Sequence, residues 1–167
     1  DKPLAFADMG PEENPALGRR GLRLSAERPE LLDAQLEALA VAARDTGADV
    51  RVMAPMVATA EGAAWFARRV RENGLPKAGV MIEVPGAALQ AGHVLAEVDF
   101  GSLGTNDLAQ YTLAMDRGKD VGAGWTKEFY RGQATAVIEE LKEIQKATTN
   151  QQALKATSTN VANVNTV

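Results

Sequence analysis

Glu83, Asn106, Asp107 and Arg117 are the side chains of this 167-residue sequence whose types and spacing best suit chemistry. Glu83 closes the apolar run Ala78-Gly79-Val80-Met81-Ile82 and stands directly before Val84-Pro85-Gly86. A carboxylate there is expensive to bury unless something compensates its charge. Asp107 ends Gly104-Thr105-Asn106-Asp107, where the glycine permits close backbone approach and Asn106 adds an amide oxygen. Oxygen donors from adjacent strand ends can hold a hard cation, and Mg2+ usually takes one or two carboxylates while keeping positions for water and substrate phosphate. Arg117, ten positions beyond Asp107, offers the planar fork that suits phosphate or carboxylate.

Each of these residues also has a plainer reading. Glu83 can be the partner of a buried arginine, Asp107 the N-cap of a short helix over Leu108 to Leu113, and Arg117 one half of a surface ion pair. His93 reads as a residue of a partly exposed helix, and Met53, Met56 and Met81 read as core filler.

The carboxylates act together only if the chain brings them to one end of a sheet, as parallel α/β architectures do with the loops after their strands. From Asp1 to about Arg28 a short apolar piece, Leu4 to Ala7, and the stretch Met9 to Pro15 predict a loop. Pro29 opens a helix with Leu32, Leu36, Leu39, Ala40 and Ala43 at helical spacing, which stops near Gly47. Val50 to Val57 has strand length and composition, with Pro55 near its end, and a helix follows from about Thr59 to Glu72, ending near Gly74. The pattern repeats with a strand over Ala78 to Pro85, a helix over Ala87 to Leu95 and a strand over Val98 to Leu103. Alternating strands and helices predict a parallel sheet, and near-continuous apolar strands predict that both its faces are covered. Beyond Gly118 the spacing predicts an exposed helix over Glu128 to Lys146, followed by a polar tail to Val167 with Lys155 as its one charge.

Composition narrows the function classes. With 46% hydrophobic and 24% charged residues the chain has the make-up of a globular domain. Eighteen basic against 22 acidic residues give a net charge of −4, which argues against a nucleic-acid or anionic-membrane surface, and no basic run reverses that. The absence of cysteine excludes disulfides, a thiolate zinc site and a cysteine nucleophile within this sequence, and fits a reducing compartment. A single histidine argues against a histidine-rich metal site. No apolar stretch approaches the roughly 20 residues of a membrane span, and the start has no signal-peptide character; Asp1 in place of Met suggests a fragment or a processed chain.

Four motifs, in order, carry a resemblance: Glu12-Glu13-Asn14-Pro15-Ala16-Leu17-Gly18-Arg19-Arg20-Gly21-Leu22-Arg23; Val52-Met53-Ala54-Pro55-Met56; Gly79-Val80-Met81-Ile82-Glu83-Val84-Pro85; and the run from Gly101 to Arg117. Over roughly residues 1 to 118 the chain resembles the phosphoenolpyruvate-utilising family. The run Gln110-Tyr111-Thr112-Leu113-Ala114-Met115-Asp116-Arg117 favours its Enzyme I branch over the dikinase and synthase branches. The resemblance implies about half of a (β/α)8 TIM barrel. In it Glu83 and Asp107 hold Mg2+, while Asn106 and Arg117 reach phosphoenolpyruvate as catalytic and substrate-binding residues. The implied activity is transfer of a phosphoryl group to a protein histidine in the sugar phosphotransferase system, in the cytoplasm, with a phosphocarrier protein as partner. Arg20 and Arg23 match family arginines, with ion pairs that fix their loop as the alternative.

The sequence also departs from the family. A complete barrel needs about 250 residues, and the family's phosphohistidine domain, earlier strands and cysteine-bearing final strand find no counterpart here, so the chain alone is expected not to turn over. An open half barrel should self-associate, which predicts a homo-oligomer. The tail motif Gln151-Gln152-Ala153-Leu154 with Ser158 to Thr166 is weakly similar to the amino-terminal motif of flagellar rod and hook proteins, which makes 1–118 and 119–167 separate units in this reading. Two other functions compete: a non-catalytic assembly module, and a small Mg2+-dependent enzyme of citrate-lyase or aldolase type.

Overall fold

The computed structural model describes residues 10–115. Arg117, the helix expected over Glu128 to Lys146 and the tail therefore lie outside the described residues, as does the apolar piece Leu4 to Ala7. In chain order the elements are α1 (Leu22–Glu27), α2 (Pro29–Thr46), β1 (Val52–Ala54), α3 (Ala60–Glu72), β2 (Ala78–Ile82), α4 (Pro85–Leu89), α5 (Ala91–Ala96), β3 (Phe100–Leu103) and α6 (Thr105–Leu113).

The helix signals in the sequence act where they stand. Pro29 occupies the first turn of α2, where its fixed φ helps and its missing N–H costs nothing. Gly47 closes that helix in the left-handed region, φ 69°, and donates its N–H to the Ala43 carbonyl. Thr59 caps α3 by accepting the Gly62 N–H at 3.1 Å, and Ala63, Phe66, Ala67 and Val70 form the buried stripe behind that cap. This stripe covers β1 and β2, and α3 also packs on α5.

The three strands form one parallel sheet in the order β1-β2-β3. Val52 pairs with Ala78 at one side of β2, and Ile82 pairs with Leu103 at the other. Every crossover runs through a helix, as a parallel connection requires. The core joins Leu32 and Leu36 of α2, the α3 stripe, Ala78, Val80 and Ile82 of β2, and Leu108 of α6.

Several expectations change. The expected loop before Arg28 contains α1, a short helix fastened by tertiary contact: Leu22 is buried and its N–H donates to the Pro55 carbonyl at 3.3 Å. Leu39 is exposed, because α2 docks along the i, i+4 row of Leu32, Leu36 and Ala40 and Leu39 lies off that row. The helix expected over Ala87 to Leu95 is broken at Gln90, whose φ and ψ of −120° and 31° leave the helical region, and whose side chain donates to the Ala58 carbonyl. Coverage of both sheet faces holds for β2; Gly101, Ser102 and Leu103 of β3 are exposed among the described residues.

Candidate functional site

The site is assembled where β2 and β3 end. Because Ile82 pairs with Leu103 and the Gly104 N–H donates to the Ile82 carbonyl at 3.0 Å, the next residues along, Glu83 and Gly104, lie side by side. The approach is close enough to need glycine: a Cβ built on Gly104 would lie 2.6 Å from both Cβ and Oε2 of Glu83. Glu83 is 4% exposed, and its Oε1 accepts the Met56 N–H at 2.7 Å. Met56 itself is held in the left-handed region, φ 59°, which a side chain of its size rarely adopts. Gly21, φ 50°, packs against that turn so tightly that a Cβ on it would come within 2.9 Å of the Pro55 carbonyl and of the Met56 Cβ. The Glu83 carboxylate thus fastens the tip of β1 beside the tip of β2, and the start of α1 is wedged against the β1 tip.

The second carboxylate comes from α6. Gly104 is the N-cap of this helix, so Asp107 occupies its first turn and is not the N-cap. The sequence rule placed the cap three residues late because Gly104-Thr105 already turns into the helix. An acidic group in the first turn still gains from the helix dipole. Asn106 sits in the same turn and is exposed. Glu83, Asn106 and Asp107 are therefore delivered to one end of the sheet by adjacent elements, while Arg117 lies outside the described residues.

Two further residues reach the same end: Arg20, which the resemblance marks in a supporting role, and Tyr111, to which it assigns none. Arg20, whose side chain is only 16% exposed against 49% for Arg19, places Nη2 at 3.8 Å from Asp107 Oδ1. Its Nη1 donates to the Ala16 carbonyl at 3.1 Å and to the Tyr111 hydroxyl. Tyr111 in turn donates to the Ala16 carbonyl. Burial pushes the Tyr111 phenol above its usual value of 10.0, with the negative charges of Asp107 and Glu83 acting in the same direction and Arg20 and Arg23 against it. The phenol is therefore protonated at neutral pH. Arg23 donates to the Leu17 and Gly18 carbonyls at 2.6 and 3.1 Å and so braces its own loop. A signal for Tyr111 did exist: it lies four positions after Asp107, the spacing that puts both on one helix face.

The donor chemistry suits a hard divalent cation, since Glu83 and Asp107 offer oxygen only and come from neighbouring loops. Among the described residues no group of three His, Cys, Asp or Glu could hold a metal by itself. A cation bound here would need water or substrate oxygens to complete its shell. Among the described residues, too, no helix is long and apolar enough to cross a membrane.

Comparison with known proteins fits this geometry. The PEP-binding domain of the PEP-utilising enzymes, where PEP is phosphoenolpyruvate, matches residues 1–162. A phosphoenolpyruvate-protein phosphotransferase of Streptomyces coelicolor is 56% identical over 124 residues, 74% of this chain and 22% of that protein. One from Haloferax volcanii is 41% identical over 133 residues, covering 72% of this chain and 24% of the relative. A multiphosphoryl transfer protein of Xanthomonas campestris pv. campestris is 46% identical over 123 residues, 70% of this chain and 15% of its own length. The chain thus spans about a quarter or less of the curated relatives it matches. On a match that runs through nearly all of its length, the chain belongs to the PEP-utilising enzyme family, in that family's PEP-binding domain.

Proposed function

We propose that this chain is the phosphoenolpyruvate-binding part of a Mg2+-dependent protein phosphotransferase of the sugar phosphotransferase system, built on part of a (β/α)8 barrel. One observation carries the reading: two hydrogen-bonded parallel strands bring Glu83 and the Asp107 turn to the same end of the sheet, with Gly104 pressed against the Glu83 side chain. Glu83 and Asp107 would hold Mg2+, which when bound neutralises the charge on the phosphate and enolate oxygens. Asn106 donates its amide N–H to the ester, and Arg117 meets phosphate or carboxylate with its fork. Arg20 places its own guanidinium at the Asp107 end of the sheet. Together these donors orient the ester so that its phosphoryl group leaves the enol oxygen for a histidine nitrogen. The enolate left behind takes up a proton to become pyruvate. The histidine belongs to a separate domain of the intact protein, and a phosphocarrier protein receives the group from it.

Calorimetric titration of the chain with phosphoenolpyruvate, with and without Mg2+, tests this function. Heat of binding is expected only when Mg2+ is present, and Glu83→Gln should abolish it while keeping the fold, because glutamine still offers Oε1 to the Met56 N–H. Glu83→Ala should lose both binding and about 1–3 kcal/mol of stability, since that N–H is left without its acceptor. Equal heats with and without Mg2+, or unchanged binding in Glu83→Gln, would rule the assignment out.

A further inference from the structure

Tyr111 joins the site through Arg20. Its hydroxyl donates to the Ala16 carbonyl and accepts from Arg20 Nη1, and Nη1 also donates to that carbonyl at 3.1 Å, so three groups close a triangle between segment 16–20 and α6. One helical turn earlier, Asp107 faces the other terminal nitrogen of the same guanidinium, Nη2, at 3.8 Å. Both ends of the fork are thus addressed from one face of α6.

An unrestrained arginine has much rotamer freedom to lose when it meets an anion, and a fork fixed beforehand has less. We propose that Tyr111 is a positioning residue: its hydroxyl anchors the Nη1 side of Arg20 so that the Nη2 side stays at the Glu83–Asp107 site, ready for a phosphate or carboxylate group. This role rests on the phosphoenolpyruvate reading of the site. Nothing in it requires Tyr111 to touch the ester. A phenol is protonated through the neutral range even at its ordinary value, and burial moves it further from ionisation, so both its hydrogen bonds persist there.

Three variants of the chain, Tyr111→Phe, Arg20→Lys and the double variant, test the proposal. Tyr111→Phe removes one oxygen, leaves the Ala16 carbonyl its Arg20 donor, and is expected to keep the fold with a thermal midpoint only slightly lowered while weakening phosphoenolpyruvate binding in saturating Mg2+ roughly ten-fold. In the Arg20→Lys background the same change should have no further effect, because the hydroxyl acts through the fork. Full affinity in Tyr111→Phe, or an equal loss in both backgrounds, overturns the role. Side-chain 15N NMR of Arg20, assigned through Arg20→Lys, separates this inference from the functional one. Should wild type bind no phosphoenolpyruvate, the functional reading falls alone. The positioning role then stands if the Arg20 guanidinium is ordered in wild type and released in Tyr111→Phe, and fails if the two spectra agree.

Discussion

Glu83 and Gly104 show how little space the strand tips leave. The glycine has ordinary backbone angles, φ −89° and ψ 80°, so its requirement is one of room and not of handedness. Gly104→Ala would drive a methyl group against the Glu83 Cβ, an atom that cannot swing away, as well as against the more mobile Oε2. The expected result is a displaced carboxylate and Mg2+ affinity at least ten-fold weaker, read by calorimetry, with the helices intact by circular dichroism. Affinity equal to wild type would mean that Glu83 is not a ligand. Glu83 was visible in the sequence because a charge at the end of an apolar run breaks the pattern. Arg20 was marked only by the family resemblance, since on residue type alone neighbouring Arg19 has the same charge and nearly the same surroundings in sequence. The fold tells the two apart: Arg20 turns inward to Asp107, Ala16 and Tyr111, while Arg19 pairs with Glu12 and Glu27 at the surface.

The long helices α2 and α3 could be read from the chain because each carries its own start, stripe and stop. The shorter pieces could not. α1 exists through Leu22 and its bond to Pro55, and the break at Gln90 answers to the Ala58 carbonyl, partners far away in sequence. The docking row of α2 makes a quantitative distinction between two leucines of equal hydrophobicity. Leu36 is fully buried, so Leu36→Ala should cost roughly 2–5 kcal/mol in denaturant unfolding. Leu39 is 38% exposed, and Leu39→Ala should stay within about 0.5 kcal/mol. Similar costs for the two would mean that α2 packs through a broader face than the row described.

Taken as one body, the described region is tied at both ends of its sheet. Opposite the site, Asp99 accepts the Ala78 N–H at 2.9 Å and pairs with Arg71 at 3.2 Å. The backbone hydrogen bond, helped by Arg71, holds the Asp99 carboxyl below its usual 3.8. A lowered folded-state value means that the stabilisation is present above the unfolded value and is lost as the pH falls through the folded one. Thermal midpoints measured from about pH 6 down to pH 2 should therefore drop along an acid limb that is shallower in Asp99→Asn. Identical limbs would remove Asp99 as a contributor.

The triangle at the other end has a kinetic corollary. Arg20 meets Tyr111 across 91 positions and Ala16 meets it across 95. A nascent polypeptide therefore exposes its basic arm long before the aromatic clasp for it has been synthesised, and closing so wide a loop has to await a formed sheet. On refolding from denaturant, helical signal should return first and grip on the anion last.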